Sequence, residues 1–198
     1  MSELEKTDMA EIRLDLTQFS IEQILSVFSL TKKLIATYRP VEGLEADRLP
    51  KLKAAIGAGA DYVDIEYESA ADFTKEIIDF AHLHNCDVII SYHNFECTPG
   101  LDELHAIIHE SFRMGADVVK IATMVKTNND NARIISLYNI SGRVVAFGMG
   151  SLGKITRIIA PFLGAEFTFA SMDEGEETAP GQIKYSRMKA AIQQIEYL

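Results

Sequence analysis

A lysine stands inside an apolar strand pattern, and this position raises the question of nucleophilic chemistry. Lys120 occurs in GADVVKIA, among valine and isoleucine residues that suit a buried strand. Lysine is rarely buried without a partner. One interpretation is that the side chain snorkels to the strand end. The other is that a desolvated amine, which loses its proton more readily, acts as a nucleophile.

Further polar residues fall at the ends of other strand patterns, where they could serve the same reaction. In a (β/α) barrel the active site lies at the carboxyl ends of the strands. A lysine there can attack a ketone, a histidine can move protons and an arginine can hold an anion. A histidine held only for structural reasons is an equally good interpretation of His93 taken alone. The residues at these ends are Asp15, Arg39, Glu66, His93, Lys120, Gly148 and Ser171.

Two loops have the composition of anion-binding or lid segments. The stretch GMGSLGKITR (148–157) follows a strand pattern and leads into a helix, so its backbone N–H groups and Arg157 could bind an anion. A plain strand-to-helix loop is the alternative. The acidic stretch SMDEGEETAPGQ (171–182) is typical of a lid or of a disordered connector. No group of His, Cys and acidic residues has metal-ligand spacing, so we expect no metal.

Seven strand patterns alternate with helical patterns, which predicts repeated βα units. The strand patterns start roughly 23 to 30 residues apart, the length of a strand plus a crossover helix. Seven such units predict an α/β fold, and they favour a TIM-type (β/α) barrel rather than an open sheet. We expect this barrel to be a single domain that spans residues 1–198. Asp47 and Asp72 are predicted helix N-caps, and Gly59 and Gly115 predicted helix ends. The strand patterns are EIRLDL (11–16), LIATYR (34–39), YVDIEY (62–67), DVIISYH (87–93), DVVKIA (117–122), RVVAFG (143–148) and EFTFAS (166–171). The clearest helical patterns cover 47–59, 70–85 and 101–115.

Alternation along these strands gathers their polar residues on one face. In a parallel barrel the outer face is covered by helices, so we expect these polar faces inside the barrel, paired with one another or with a ligand. The residues that share this parity are Glu11 with Arg13 and Asp15, Thr37 with Arg39, Asp64 with Glu66, and Ser91 with His93.

Charge and composition argue against several partner classes. The chain has 198 residues and a formal net charge of −10, which disfavours nucleic acid and anionic membranes as partners. Cys86 and Cys97 form no CxxC pair, which fits a reducing compartment. No apolar run approaches the ~18 residues of a spanning helix, and the charged N-terminus has no apolar signal region. We therefore expect a cytoplasmic protein.

Six motifs, in order along the chain, resemble those of type I 3-dehydroquinate dehydratase. They are EIRLD, TYRPxEG, SYHNF, VKIATM, MGxxGxxTR and APGQ, spread from about residue 10 to about residue 185. The resemblance implies a TIM-type barrel that dehydrates 3-dehydroquinate to 3-dehydroshikimate through a Schiff base. The reaction belongs to the shikimate pathway of aromatic amino-acid biosynthesis and requires no cofactor. We also expect a homodimer.

The resemblance also implies a role for each matched residue. Lys120 would form the Schiff base, His93 would transfer protons, and Glu42 would pair with the histidine and orient it. Arg157 would bind the substrate carboxylate. Residues that would position the hydroxyls and ring of the substrate are Glu11, Arg13, Arg39 and Gln182, with Thr178 in the lid.

The chain departs from the family pattern in two places. Thr178 stands where the family usually has serine before Ala-Pro-Gly-Gln, which retains the hydroxyl. Residues 1–10 read as the end of a helix, so the barrel is expected to lack the family's first strand. Two alternatives stay open: a class I Schiff-base aldolase of the same barrel type, and a truncated inactive relative with a binding role.

Overall fold

A computed structural model describes residues 7–41, 43, 45–174 and 180–197. The chain divides into two compact units, which we call the first unit (Met1–Ser91 with Ser111–Asp117) and the second unit (Tyr92–Glu110 with Val118–Leu198). No helix among the described residues is long and apolar enough to cross a membrane. The expectation of a single domain over residues 1–198 stays a prediction.

Parallel strands and covering helices build the first unit. The register pairs Glu11 with Ile35, then Ile35 with Tyr62, and Tyr62 with Asp87. The strands are β1 (Met9–Arg13), β2 (Lys33–Thr37), β3 (Tyr62–Glu66) and β4 (Asp87–Asn94), of which the last three residues belong to the second unit. The helices are α1 (Leu14–Thr17), α2 (Ile21–Phe28), α3 (Glu45–Gly57) and α4 (Ala71–Leu83).

The two faces of these strands differ as the alternation predicts. Val63 and Ile65 point into an apolar cluster with helix residues such as Leu52 and Ile77. Burial of this apolar surface is the main force that holds helices on the sheet. Asp64, between the two, is also fully buried but lies on the opposite, polar face. The core therefore lies between strands and helices, and the other face is left for polar side chains.

The second unit contains two long parallel strands. β5 (Val118–Met124) and β6 (Arg143–Met149) pair along seven residues, so that Lys120 stands opposite Val145 and Ala122 opposite Phe147. The helices are α5 (Leu101–Met114), whose last four residues belong to the first unit, α6 (Asn128–Ser136), α7 (Gly150–Ile159) and α8 (Tyr185–Glu196). Two 3-10 turns lie at Leu137–Asn139 and Ala160–Leu163.

The seventh predicted strand, at 166–171, does not form. The segment makes only an isolated bridge between Ser171 and Lys184. Its alternation reflects side-chain packing instead: the rings of Phe167 and Phe169 meet edge to face with centroids 5.6 Å apart. Between them Thr168 Oγ1 donates to the carbonyl of Arg157 at 2.9 Å. A period of two therefore arose here without a ladder of backbone hydrogen bonds.

The first strand is displaced relative to the prediction. It includes Met9 and Ala10, which pair with Lys33 and Leu34, so the expectation of a helical end is wrong for these residues. The strand stops at Arg13, because residues 14–17 turn into α1 and the chain then adopts a left-handed conformation at Gln18. Asp15 consequently lies in a helix rather than on a strand.

The helix boundaries confirm the glycine predictions and contradict the cap predictions. Gly59 and Gly115 follow α3 and α5 with φ of +107° and +110°, a region that favours glycine at helix ends. Asp47 and Asp72 are not N-caps, since α3 begins at Glu45 and α4 at Ala71. Both carboxylates lie in the first turn of their helix, where their negative charge interacts favourably with the helix dipole and stabilises the helix.

Candidate functional site

The candidate nucleophile is buried in the middle of a strand. Lys120 is the third residue of β5 and is only 4% exposed, so its side chain does not snorkel to solvent. Its ammonium nitrogen lies 4.4 Å from the centre of the Phe169 ring, within range of a cation–π interaction. Lys120 thus lies against an enclosed aromatic surface.

Two phenylalanine rings join the lysine to the candidate carboxylate-binding arginine. The ring centres of Phe169 and Phe147 are 5.6 Å apart. Arg157, 1% exposed, places its guanidinium carbon 4.1 Å over Phe147 and donates from Nη1 to the carbonyl of Phe169 at 3.3 Å. The structure therefore brings Lys120 and Arg157 to one aromatic pair in the second unit.

Sequence reasoning missed this aromatic pair. Phe147 belongs to RVVAFG and Phe169 to EFTFAS, two patterns that were read only as strands. The available signal was the placement of each ring: Phe147 directly precedes the glycine-rich loop, and Phe169 lies two residues before the start of the lid. Aromatic residues next to two predicted functional loops are candidates for the wall of a site.

His93 lies near the carboxyl end of β4, as predicted. The residue is half-buried, and its ring lies nearly parallel to that of Phe95, with 6.1 Å between centres. Asn94 is the last residue of β4. Its side-chain oxygen accepts hydrogen bonds from the backbone N–H groups of Glu96 and Cys97, at 3.0 and 2.9 Å. This turn fixes Phe95 beside the imidazole.

Glycines allow two segments to approach closely at the start of α7. A Cβ on Gly148 would lie 2.8 Å from Gly153 Cα, so β6 and α7 pack backbone to backbone there. Gly181, with φ of +77°, sits directly on Gly150, where a Cβ would lie 2.3 Å from the carbonyl oxygen. Gly150 N–H also donates to the carbonyl of Pro180 at 3.0 Å. These contacts seat the buried Gln182 next to α7.

The first unit holds a second candidate cation, surrounded by carboxylates. Arg39 lies two residues beyond β2 and donates to both oxygens of Asp64 at 2.9 and 3.1 Å. It also meets Glu66 at 2.6 Å and Ser91 Oγ at 2.9 Å. Burial would lower the pKa of Arg39, but the charges of Asp64 and Glu66 outweigh it and raise this pKa above its usual range.

Glu11, Arg13 and Asp15 form a neighbouring group in the first unit. Thr37 Oγ1 donates to Glu11 at 2.7 Å, and Arg13 forms two hydrogen bonds with Asp15, at 2.9 and 2.6 Å. Burial would raise the pKa of Asp15, but the hydrogen bond and charge of Arg13 outweigh it, so the pKa lies below its usual range. The same hydrogen bond raises the pKa of Arg13.

Two predicted site residues, Glu42 and Thr178, lie outside the described residues. Within the described part of the chain, no group of three or more His, Cys, Asp and Glu side chains could hold a metal ion. Cys86 and Cys97 are free thiols, and burial raises the pKa of Cys86 to about 12, which leaves it unreactive.

Comparison with known proteins identifies the family. A family model described as type I 3-dehydroquinase matches residues 1–198. The chain belongs to the type I 3-dehydroquinase family. A 3-dehydroquinate dehydratase of Methanococcus maripaludis is 34% identical over 196 residues, covering 95% of this chain and 88% of that protein. One of Archaeoglobus fulgidus is 36% identical over 192 residues, with coverage of 96% and 91%.

Solved structures agree with this family. The 3-dehydroquinate dehydratase of Aquifex aeolicus superposes with a TM-score of 0.85 at 28% identity, covering 98% of this chain and 92% of that one. The type I enzyme of Clostridium difficile gives 0.83 at 25%, with coverage of 98% and 85%. These findings confirm the predicted α/β fold of TIM type and the dehydratase family, whose reaction is that of a hydro-lyase.

Proposed function

We propose that this chain dehydrates 3-dehydroquinate to 3-dehydroshikimate through a Schiff base on Lys120, as a step of the shikimate pathway. The observation that carries this proposal is the burial of the Lys120 amine against Phe169, in a chain of the type I family. Imine formation requires a neutral amine within reach of the substrate carbonyl, and an enclosed site brings the two together while excluding bulk water.

In the proposed reaction the lysine supplies the electron sink and the histidine moves protons. Lys120 Nζ attacks the C3 carbonyl, and water leaves as the protonated imine forms. His93 then removes the C2 proton, and the electron pair is delocalised into the imine as an enamine. The enamine expels the C1 hydroxyl, which leaves as water with a proton from His93. Hydrolysis of the imine returns the free lysine and the product.

The remaining matched residues bind and orient the substrate in this proposal. Arg157 holds the carboxylate, since a guanidinium forms two parallel hydrogen bonds with that group. Glu11, Arg13, Arg39 and Gln182 position the ring and its hydroxyls. Glu42 orients His93, and Thr178 contributes its hydroxyl from the lid.

Borohydride trapping tests the proposal directly. Wild-type protein is treated with 3-dehydroquinate and sodium borohydride, and its peptides are analysed by mass spectrometry. We expect the reduced adduct on Lys120 and none in the matched Lys120→Ala variant. An adduct on Lys126 or Lys154 instead, or no adduct in protein that turns the substrate over, would sink the assignment.

Turnover measurements separate the dehydratase from the two alternatives. A class I aldolase also forms a lysine imine, so the product must be identified as 3-dehydroshikimate with no carbon–carbon cleavage. An inactive relative would show no turnover. His93→Ala should lower kcat by roughly 10²–10⁴-fold, the usual contribution of a general acid–base group. EDTA should leave the rate unchanged, because the imine replaces a metal as electron sink.

We further propose a cytoplasmic homodimer that binds neither nucleic acid nor membrane. Exposed apolar side chains at α7 and the turn after it support a contact between two copies; they are Leu152, Ile155, Phe162 and Leu163. Sedimentation equilibrium should give twice the chain mass of 22.0 kDa. The variant Leu152→Asp should dissociate the dimer, and a monomeric wild type would contradict this proposal.

A further inference from the structure

The loop that follows His93 is fixed at its far end to the strand that carries Lys120. Thr98 Oγ1 donates to the carbonyl of Met124 at 2.9 Å and shares a 3.0 Å hydrogen bond with Thr123 Oγ1. Both threonines are buried. Thr123 and Met124 are the last two residues of β5, so Thr98 holds the loop to the carboxyl end of that strand.

One arginine of α6 fastens the same loop from outside. Arg133 Nη1 donates to the carbonyls of Thr98 and Pro99, at 2.8 and 2.9 Å. Two adjacent carbonyls that point at one cationic nitrogen form a charge-assisted contact, which is stronger than a neutral hydrogen bond. The Arg133 side chain is 28% exposed, so it is a clamp at the edge of the fold rather than part of the core.

Arg133 is itself held by a carboxylate that organises the loop after Lys120's strand. Asp130 accepts from Arg133 at 3.3 Å on one oxygen and from the backbone N–H groups of Lys126 and Thr127, at 2.9 and 2.8 Å, on the other. Burial would raise the pKa of Asp130, but these backbone hydrogen bonds outweigh it and keep the carboxylate ionised. Arg133 and Asp130 together tie the exits of the two strands that carry His93 and Lys120.

We propose that Arg133 is a positioning residue, which fixes the loop after His93 and thereby sets the approach of the imidazole to the substrate held on Lys120. The inference rests on the proposed function. It acts through the Asn94 turn and Phe95, which lies parallel to the imidazole and belongs to the clamped loop. A displacement of about 1 Å at a reacting group can cost about 100-fold in rate.

Kinetics normalised to trapped sites test this role. Variants Arg133→Met and Thr98→Val remove the clamp from its two sides, Arg133→Lys retains a charged donor, and Arg143→Met is the matched control. Arg143 is the first residue of β6 and pairs with Glu166. Turnover with 3-dehydroquinate is divided by the fraction of chains that borohydride traps at Lys120, which removes any loss of folded protein.

We expect kcat per trapped site to fall roughly 10- to 100-fold in Arg133→Met, with KM within about threefold of wild type. Thr98→Val should also lower kcat per trapped site, and Arg133→Lys should retain part of the activity that Arg133→Met loses. The pH dependence of kcat should also change in Arg133→Met, because the proton transfer proposed for His93 would take place in an altered geometry. Arg143→Met should match wild type in kcat per trapped site and in the pH dependence of kcat.

The outcomes separate failure of this inference from failure of the proposed function. If wild type traps at Lys120 and turns over, but Arg133→Met and Thr98→Val equal wild type per trapped site, the positioning role is overturned. An equal loss in Arg143→Met would also overturn it. If wild type neither traps nor turns over, the proposed function itself fails.

Discussion

The two units solve the problem of a buried cation in different ways. In the first unit, Arg39 is surrounded by the carboxylates of Asp64 and Glu66. In the second unit, Lys120 and Arg157 lie over the rings of Phe169 and Phe147. A carboxylate neutralises a cation within the protein, whereas a ring face attracts it without cancelling its charge. These contacts differ in kind, because Arg39 meets acidic side chains whereas Lys120 and Arg157 meet aromatic rings.

This contrast can be tested by removing each cation, or the ring beside it, in turn. Arg39 holds the polar face of its unit together, and any contact it makes with substrate comes on top of that network. In the proposed reaction, Lys120 and Arg157 would meet the substrate beside the rings of Phe169 and Phe147.

Removing the carboxylate-bound cation should cost stability. Arg39→Met leaves Asp64 and Glu66 buried without their arginine, and we expect the free energy of unfolding to fall by about 3–5 kcal/mol. Denaturant titration measures this. The control Lys75→Met breaks an exposed ion pair with Asp79 and should cost less than about 1 kcal/mol. The double variant Arg39→Met with Asp64→Asn should regain part of the lost free energy of unfolding. Equal stability of Arg39→Met and wild type would contradict this structural role of Arg39.

Removing the ring-bound arginine should cost binding instead. Arg157→Ala takes away the proposed partner of the substrate carboxylate, present in both substrate and transition state. KM should therefore rise steeply with a smaller change in kcat, for a loss of about 2–4 kcal/mol in kcat/KM. Arg187→Ala, on the exposed side of α8, serves as control. Unchanged affinity with lost turnover would give Arg157 another role.

Replacing the ring beneath the lysine should lower turnover. Phe169→Leu keeps an apolar side chain but removes the ring face, and we expect a loss of about 2 kcal/mol, roughly 30-fold in kcat. Rates of borohydride trapping report whether imine formation is the affected step. Phe167→Leu, which changes the adjacent ring of the edge-to-face pair, should have a smaller effect. Equal effects of both variants would mean that packing, rather than the ring face at Lys120, matters.

The smallest expected effect is a dependence of stability on acid in the first unit. Because Arg13 keeps the pKa of Asp15 below its usual value, this carboxylate stabilises the fold at pH above about 4, the pKa of an unfolded aspartate. Its contribution is lost as the pH falls through the lower folded value. Asp15→Asn should cost about 1 kcal/mol at pH 7, and this cost should shrink as the pH falls below about 4. A difference from wild type that does not shrink in acid would contradict this account.

Local periodicity predicted most of the secondary structure. β2 to β6 lie where alternating or β-branched runs placed them, and α3, α4 and α5 follow the helical patterns. The prediction failed at 166–171, where two phenylalanines mimic a strand by packing on each other. It failed again at residues 14–17, where an apolar run continues into a helical turn. In both places the local pattern was real, but no continuous ladder of backbone hydrogen bonds formed along it.

Six ordered motifs in the sequence indicate the family. The strand patterns also place His93 and Lys120 on two strands that follow one another along the chain, β4 and β5. Only the tertiary structure decided the surroundings of each charge. The groups that surround these cations come from distant segments of the chain: the rings at Lys120 and Arg157, the carboxylates at Arg39 and the carbonyls at Arg133. The largest separation is that between Lys120 and Phe169, which are 49 residues apart. Periodicity reports which face a residue occupies; which partner meets it there depends on packing between distant elements, which no local pattern records.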